Sequence, residues 1–294
     1  MKLKRFNGKT AFMFAFPTLV MFTVFVTYPL FQIFYRSMFE WDGITKGTFT
    51  FLDNFKRLFQ DPNLYTSLTN GAISAVLLTV IQLVLATVLA LAMLQKNIFC
   101  KRLLSKTYFI PVVISVTIIC QLWTTMYNPE YGLFNKIFEA LGLSYRQEWL
   151  SEMGKQSIIA IVITITWQYV GYQFVLIYAG AKSIPEHFFE AARIDGASKL
   201  KTHLHVTIPL LVETYRVCLI FTITGGLNAF AHIQIMTNGG PGTATFTLPF
   251  LMYRSAFKVN EFGYGCAVAV IIVLQSLLVT LLINRFVARE RITY

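Results

Sequence analysis

Residues Ala72–Leu94 read AISAVLLTVIQLVLATVLALAML and carry no charged side chain. Because the hydrocarbon core of a bilayer is about 30 Å thick, a spanning helix needs roughly 20 apolar residues, and this run predicts one. Other runs along the chain are similarly long and apolar. The predicted spans are approximately Ala11–Phe34, Ala72–Leu94, Tyr108–Tyr127, Ile158–Ala181, Leu210–Ala231 and Tyr264–Phe286. The expected fold class is an all-α polytopic membrane protein with six transmembrane helices, in which residues 1–294 form a single domain.

The composition excludes an ordinary soluble protein. Hydrophobic residues make up 55% of the chain and charged residues 13%, whereas soluble domains carry about a quarter charged residues. A formal net charge of +11 would fit a nucleic-acid-binding protein if the basic residues formed one patch. They lie at the ends of the apolar runs instead, so the charge indicates membrane topology and no nucleic-acid partner.

Lysine and arginine residues indicate which side of the membrane each loop faces. They are concentrated in the N-terminal tail, the loop Lys96–Lys106, the loop 182–208 and the C-terminal tail. Cytoplasmic loops are enriched in these residues. Both termini and the loop 182–208 are therefore predicted to be cytoplasmic. The first apolar run is too long for a cleaved signal peptide and is predicted to be an uncleaved span.

The cysteines predict neither a disulfide framework nor a metal site. Cys100, Cys120, Cys218 and Cys266 are far apart, and the sequence contains no CxxC pair and no histidine cluster. Structural or incidental thiols are the expected interpretation.

The loop after the fourth predicted span reads SIPEHFFEAARIDGA over residues 183–197. Ser183 and Glu186 have the spacing of a capping box, which predicts a helix start. Gly196 is predicted to end this helix, because glycine tolerates positive φ. A second short basic helix, Ser198–His205, is expected to follow. On local chemistry alone, an ordinary interfacial helix between two spans explains the segment equally well.

The exact string resembles a known signature. The segment resembles the EAA loop of binding-protein-dependent ABC importers. The matching residues are Glu190-Ala191-Ala192, then Gly196, then Val206-Thr207-Ile208-Pro209. Val206 and Ile208 are conservative departures from the signature. The loop Asn238-Gly239-Gly240-Pro241 and the position of Trp167 are similar to those of carbohydrate-type permeases. The chain most resembles the maltose-type first permease subunit of the carbohydrate uptake family, without a large additional outer domain.

The resemblance implies a type I ABC importer transmembrane domain in a bacterial inner membrane. Two homologous permeases would form one pore, and an external binding protein would deliver a sugar. The loop 182–208 would contain a coupling helix that docks on a cytoplasmic ATPase dimer. The implied ATPase-coupling residues are Glu190, Ala191, Ala192, Arg193, Asp195, Gly196 and Ala197.

No cofactor is expected in this chain. Gly8-Lys9-Thr10 superficially resembles the end of a P-loop, but Leu3 stands where that motif requires glycine. The partner ATPase is therefore expected to bind ATP and magnesium, and this chain is expected to be a transport subunit rather than an enzyme.

Polar residues within the fourth and fifth predicted spans are candidates for the cargo site, since buried polar groups in a membrane face the bundle interior or a cavity. The candidate sugar-binding residues are Gln168, Tyr169, Tyr172, Thr224 and Asn228. Hydrogen bonding between packed helices is the alternative role for each. Glu213 and Arg216, three residues apart, are expected to pair with each other.

Other functions remain open on the sequence. The cargo of such an importer could be a glycerol phosphate, a polyol or a uronate oligomer rather than a neutral sugar. A stand-alone secondary transporter is a further alternative. Such carriers often use a buried carboxylate for ion coupling, and the predicted spans of this chain have none at mid-membrane. This alternative also leaves the EAA-like loop unexplained. A membrane assembly factor is a non-transport alternative, which co-purification of an ATPase would exclude.

Overall fold

The computed structural model describes residues 8–95, 100–151 and 156–287. Lys96 and the ends of both terminal tails lie outside these ranges. The predicted cytoplasmic location of the tails therefore concerns residues that the structure does not describe. The helices in chain order are α1 (Gly8–Phe22), α2 (Tyr28–Arg36), α3 (Asp53–Gln60), α4 (Pro62–Leu94), α5 (Lys101–Val113), α6 (Val116–Met126), α7 (Leu133–Ala140), α8 (Gln156–Lys182), α9 (Glu186–Ile194), α10 (Lys199–Thr202), α11 (Ile208–Leu210), α12 (Val212–Leu227), α13 (Ala231–Met236), α14 (Leu248–Tyr253) and α15 (Phe262–Val287). Short π-helical segments are Thr23–Thr27, His203–Thr207 and Arg254–Lys258.

Five helical segments of the described chain are long and apolar enough to cross a membrane. They are Phe12–Arg36, Pro62–Leu94, Gln156–Lys182, Val212–Met236 and Phe262–Val287. A sixth span results if α5 and α6 together count as one. The chain is thus a multi-pass helical membrane protein, in agreement with the predicted fold class.

The third predicted segment, Tyr108–Tyr127, differs from a single straight helix. The axes of α5 and α6 meet at an angle of 96°. The ψ angles of Ile114 and Ser115 are 140° and 134°, so the backbone is extended at the junction and the helical hydrogen bonding is interrupted. Pro111, which lacks an N–H, lies in the last turn of α5. Hydropathy does not detect this bend because both helices are apolar.

The described residues group into two compact units. The first unit contains the chain up to Asp61 together with Leu251–Ile271. Its two-stranded antiparallel sheet consists of β1 (Phe39–Glu40) and β2 (Thr48–Phe49). Phe39 is paired with Phe49 in the sheet register.

Polar contacts fix the loops of this first unit. The Asp42 carboxylate accepts hydrogen bonds from the backbone N–H groups of Ile44 and Thr45, at 2.9 and 2.8 Å. These bonds hold the pKa of Asp42 below its ordinary value. Arg57 of α3 forms a 2.8 Å ion pair with Glu261, the residue before α15. The hairpin turn and α3 are therefore held by specific contacts within the unit.

The second unit contains Pro62–Phe250 and the chain from Ile272 onward. Here α4 packs along α8 and α12, and α5 packs on α8. A Cβ atom built on Gly171 would overlap the Tyr108 carbonyl, so the α5 and α8 backbones touch at this glycine, a close approach that small residues permit. The buried apolar cluster called here the α4–α8 core consists of Ala86, Ala90, Met93, Phe174, Ile177, Ala181, Ile184, Leu211 and Cys218.

Candidate functional site

The first candidate site is the EAA segment, residues 183–209, and its central feature is the end of α9. Gly196 has a φ of +72°, a conformation that favours glycine, as the sequence predicts. The Ala197 N–H donates to the Ala192 carbonyl at 2.9 Å, and the Gly196 N–H donates to the Arg193 carbonyl at 3.1 Å. These two bonds form a Schellman motif. The motif ends α9 at Ile194 and turns the chain.

The start of α9 differs from the predicted capping box. The helix begins at Glu186 with Pro185 as its N-cap residue, and no side chain caps it. The Ser183 hydroxyl donates instead to the Gly180 carbonyl at 2.7 Å. The Ser183 backbone N–H donates to the same carbonyl at 3.1 Å, so Ser183 closes the last turn of α8, where carbonyls have no intrahelical partner. The Ser183–Glu186 spacing is real, but Ser183 belongs to the preceding helix end.

One face of α9 packs on the protein and the other is exposed. Ala192 is buried, and Phe188 and Phe189 pack against the α4–α8 core. Glu190 and Ile194 lie on the exposed side, where Ile194 is 86% exposed. The helix is thus anchored to the transmembrane helices through its aromatic side chains.

The two glutamates of α9 differ in their partners. Glu186 accepts a hydrogen bond from Arg193 at 2.7 Å, and both side chains are exposed. For the Glu190 carboxylate, no ion pair or hydrogen bond is found within the described ranges. Ala191, Asp195 and Gly196 are also exposed. Glu190 is therefore available to a donor outside this chain.

The remainder of the EAA segment is a short helix with a capped start. Ser198 is the N-cap of α10, and its hydroxyl accepts a hydrogen bond from the Lys201 N–H. The predicted helix Ser198–His205 is thus α10 followed by the π-helical segment to Thr207. Leu200 and Leu204 are 68% and 50% exposed. Ile194 is exposed as well, so α9 and the segment after it each present apolar side chains, a feature of interaction sites.

The second candidate site comprises the polar residues of α8 and α12. Gln168 is 1% exposed. Its amide oxygen lies 2.8 Å from His232 Nε2, and its amide nitrogen donates to the Ile114 carbonyl at 3.4 Å. Ile114 is the C-cap residue that follows the end of α5 at Val113, so its carbonyl lies outside the helical hydrogen bonding. In this conformation Gln168 joins α8, α13 and the α5–α6 junction and does not face open space.

Tyr169 and Tyr172 are more accessible than Gln168. Tyr169 is 36% exposed, and its ring packs edge-on against His232 with centroids 6.3 Å apart. Tyr172 is half-buried and packs edge-on against Phe221 of α12 at 5.5 Å. Within the described chain, the Tyr172 hydroxyl has no hydrogen-bond partner. These two phenols therefore remain candidates for contact with a ligand.

Thr224 and Asn228 are partly satisfied by the protein. The Thr224 hydroxyl donates to the Ile220 carbonyl one turn earlier in α12. Asn228 is the C-cap of α12, and its amide nitrogen donates to the Ser276 hydroxyl of α15 at 3.2 Å. Both side chains are half-buried. The helix ends at Leu227, so Asn228 lies just beyond its last turn.

A charged pair is also present on α12. Glu213 and Arg216 pair as predicted, at 2.8 Å, and both are partly buried. This pairing neutralises the one arginine of α12.

The loop after α13 is held by Asn70, a residue that the sequence did not single out. Asn70 of α4 is fully buried, and its amide nitrogen donates to the carbonyls of Ala244 and Phe246 at 2.7 and 2.9 Å. Asn238 and Gly239 both have positive φ, and a Cβ on Gly239 would overlap the Phe250 ring. The loop is therefore a fixed element. An isolated polar residue in an apolar helix was the one available sequence signal for Asn70.

No group of three or more His, Cys, Asp or Glu side chains in the described ranges is arranged to hold a metal ion.

Comparison with known proteins gives the following matches. Residues 8–292 match the protein family described as "Binding-protein-dependent transport system inner membrane component". The "Probable ABC transporter permease protein YurN" of Bacillus subtilis is 35% identical over 284 residues, covering 95% of this chain and 96% of YurN. The "Trehalose/maltose transport system permease protein MalF" of Thermococcus litoralis is 30% identical over 292 residues, covering 97% of each chain.

A solved structure has the same fold. It belongs to a bacterial ABC transporter involved in the import of the acidic polysaccharide alginate. The TM-score is 0.81 at 20% sequence identity, and the alignment covers 97% of this chain and 96% of that chain. The similarity establishes a shared fold, that of a type I ABC importer transmembrane domain.

Proposed function

Because this chain belongs to the family of binding-protein-dependent transport system inner membrane components, we propose that its EAA segment couples an ATPase to solute transport. The chain is the permease subunit of an ABC importer and a transport subunit rather than an enzyme. Membership of this family implies an ATPase and a solute-binding protein as partners.

The observation that carries the proposal is the exposed face of α9. Glu190 has a free carboxylate there, and Ile194 exposes an apolar side chain next to it. The Schellman motif at Gly196 fixes the end of this helix. Ala192 anchors the helix from its buried side, while Ala191 leaves room for a partner surface. We assign the ATPase-coupling role to Glu190, Ala191, Ala192, Arg193, Asp195, Gly196 and Ala197.

The proposed topology places the EAA segment and both termini in the cytoplasm. The support is the concentration of lysine and arginine in the four segments on that side. The docked ATPase would bind ATP and magnesium, and the permease would hold no cofactor of its own. A second homologous permease would complete the pore.

We propose a neutral sugar or oligosaccharide as cargo. Tyr169 and Tyr172 offer aromatic faces and hydroxyl groups at partly exposed positions, which suits a sugar ring with hydroxyls. Thr224 and Asn228 are half-buried on the neighbouring helix. The relative MalF is a trehalose/maltose transport permease, which agrees with this assignment. Gln168 is reassigned from sugar contact to helix joining because both ends of its amide have protein partners.

An acidic oligosaccharide is the second candidate cargo. It is favoured by the structural similarity to a permease of an alginate importer. A polyanion would require unpaired cations in the pathway, and Arg216 on α12 is already paired with Glu213. This pairing favours the neutral cargo. A stand-alone secondary transporter is not consistent with the family.

The test of coupling compares two glutamates of the same helix. Glu190→Ala removes the free carboxylate, whereas Glu186→Ala removes one that Arg193 already occupies. Loss of a charge-assisted hydrogen bond costs about 1.5–3 kcal/mol. We therefore expect Glu190→Ala to weaken binding of the ATPase by about tenfold or more, and Glu186→Ala to change it little. The measurement is the ATPase retained by the permease complex at increasing dilution. Equal retention by wild type and Glu190→Ala would contradict the assignment.

A further inference from the structure

An apolar groove of about 650 Å³ runs along α5. Its apolar walls are formed by Phe109, Ile110, Val113, Ile114 and Val175. Ile110, Val113 and Val175 are 55%, 74% and 40% exposed, so the groove is open along its side. Ser105 and Lys106 line its other end, where the apolar part of α5 begins.

The polar end of the groove carries an unpaired positive charge. Lys106 is exposed, and within the described ranges its ammonium group has no ion pair or hydrogen bond. Two further lysines lie beyond the groove, Lys101 one turn before Ser105 and Lys182 about two turns after Val175. The ammonium groups of Lys101 and Lys182 are 5.9 and 4.9 Å from the centre of the Tyr178 ring. Lys101 is one turn before Ser105 on α5, and Tyr178 is one turn after Val175 on α8. The groove therefore ends at a basic cluster.

The length of the groove matches one leaflet of a membrane. From Ser105 to Ile114 a helical rise of about 1.5 Å per residue gives roughly 13 Å. Half of a hydrocarbon core of about 30 Å is roughly 15 Å. The groove thus extends from a basic, polar end to the α5–α6 junction, over about the thickness of one leaflet. This pattern of one charged end and one apolar channel complements a lipid rather than a soluble ligand.

We propose that the groove binds an acyl chain of an anionic phospholipid, with Lys106 and Ser105 at the headgroup phosphate. The chain lies along Ile110 and Val113 of α5 and against Val175 of α8. Lys101 and Lys182 add to the positive potential beyond the phosphate, as basic pockets between membrane helices do for anionic headgroups. The proposal does not depend on the coupling role of α9, because the groove lies on α5 and α8.

Such a lipid would support the close contact between α5 and α8. These helices touch at Gly171, where the backbone of α8 meets the Tyr108 carbonyl, and the groove lies beside this contact. A chain packed on both helices fills space that the protein leaves open next to the bend at Ile114. The bound lipid would therefore stabilise the arrangement of the bent helix pair.

The test measures lipid binding to the full chain, purified in detergent with its co-purifying subunits. Phosphatidylglycerol or phosphatidylcholine with identical acyl chains is added, and bound lipid is counted by native mass spectrometry. We expect tighter binding of phosphatidylglycerol. Lys106→Gln should weaken it by about fivefold, the equivalent of about 1 kcal/mol for one lysine near an anionic surface. It should leave phosphatidylcholine binding unchanged. Lys46→Gln, the same change at an exposed lysine outside the groove, should alter neither.

A second variant tests the apolar wall. Val113→Trp places a large ring in the groove at a position that is 74% exposed, so we expect the chain to fold and both lipids to bind less. Equal binding of the two lipids to the wild type would overturn the proposal. It would also be overturned if Lys106→Gln left phosphatidylglycerol binding unchanged, which would indicate a lysine that only reaches the membrane surface. If Val113→Trp kept its bound lipid but no longer co-purified with a second permease, the proposal would be overturned and the groove would be a subunit interface instead.

Discussion

Gln168 and Tyr172 lie one turn apart on α8 and yet have different surroundings. The amide of Gln168 is buried and bonded at both ends, to His232 and to the Ile114 carbonyl. The Tyr172 hydroxyl is free within the described chain, beside the half-exposed ring of Phe221. Accessibility, and not residue type, therefore separates a helix-joining residue from a candidate ligand contact. This difference gives the two positions different expected phenotypes.

We expect Gln168→Leu to destabilise the protein and Tyr172→Phe to change cargo affinity. Gln168→Leu leaves a buried imidazole and a partly buried carbonyl without partners, at a cost of about 1–3 kcal/mol. The apparent Tm of the detergent-purified complex should fall. Tyr172→Phe retains the ring and removes only the hydroxyl, so the Tm should hold while the sugar concentration for half-maximal uptake rises. An unchanged Tm for Gln168→Leu, combined with weakened sugar uptake, would contradict the structural role and indicate that Gln168 contacts the cargo.

Single residues could be predicted from the sequence where their role is local. Gly196 ends a helix by its own backbone conformation, and the following residues show the expected turn. Ser183 could not be assigned, because its spacing suits a helix start while its hydroxyl caps the helix before it. The partners of Asn70 and Gln168 are 174 and 64 residues away. Pairings over such separations depend on tertiary packing and leave no periodic signal.

The helices illustrate which features of an element hydropathy can predict. Length and apolar composition predict that the long spans exist. Five of the described helical segments are long and apolar enough to cross a membrane. The bend between α5 and α6 depends on the extended backbone of Ile114 and Ser115, which apolar composition does not encode. The side of the membrane on which α5 begins is a prediction from the distribution of lysine and arginine alone. That assignment is open to a direct measurement.

Cys100 should be labelled from the cytoplasmic side only. It is exposed just before α5, while Cys120 and Cys218 are buried and Cys266 is half-buried. A membrane-impermeant maleimide should therefore modify Cys100 in inverted membrane vesicles and not in right-side-out vesicles. Cys100→Ser is the control and should abolish the labelling. Modification in right-side-out vesicles alone would reverse the proposed topology.

At the scale of the whole molecule, the packing of α9 links the EAA segment to the spans. Phe188 and Phe189 pack against the α4–α8 core, which contains residues from the same helix as Tyr172. An ATPase docked on the exposed face of α9 would thus act on α8 through packed side chains and not through a flexible loop. Energetic coupling of this kind requires contiguous contacts and a fixed helix end. Gly196 supplies that fixed end.

The most direct test of this account is ATP-dependent sugar uptake by the Gly196→Val variant. Gly196 has a φ of +72°, and a Cβ there meets no atom within 4 Å. The substitution therefore acts through the backbone, at about 1–2 kcal/mol or more. Gly142 is a matched control: it has a φ of +76°, has open space around it, and follows α7 with the same pair of closing bonds. The measurement uses complexes with equal permease content in proteoliposomes containing the binding protein and ATP.

The account predicts that Gly196→Val abolishes uptake and uncouples the ATPase, whereas Gly142→Val transports at close to the wild-type rate. Both variants carry the same backbone cost, so the difference isolates the role of the EAA segment. Uptake at the wild-type rate by Gly196→Val, with the ATPase still bound, would contradict the claim that the end of α9 couples ATP hydrolysis to transport.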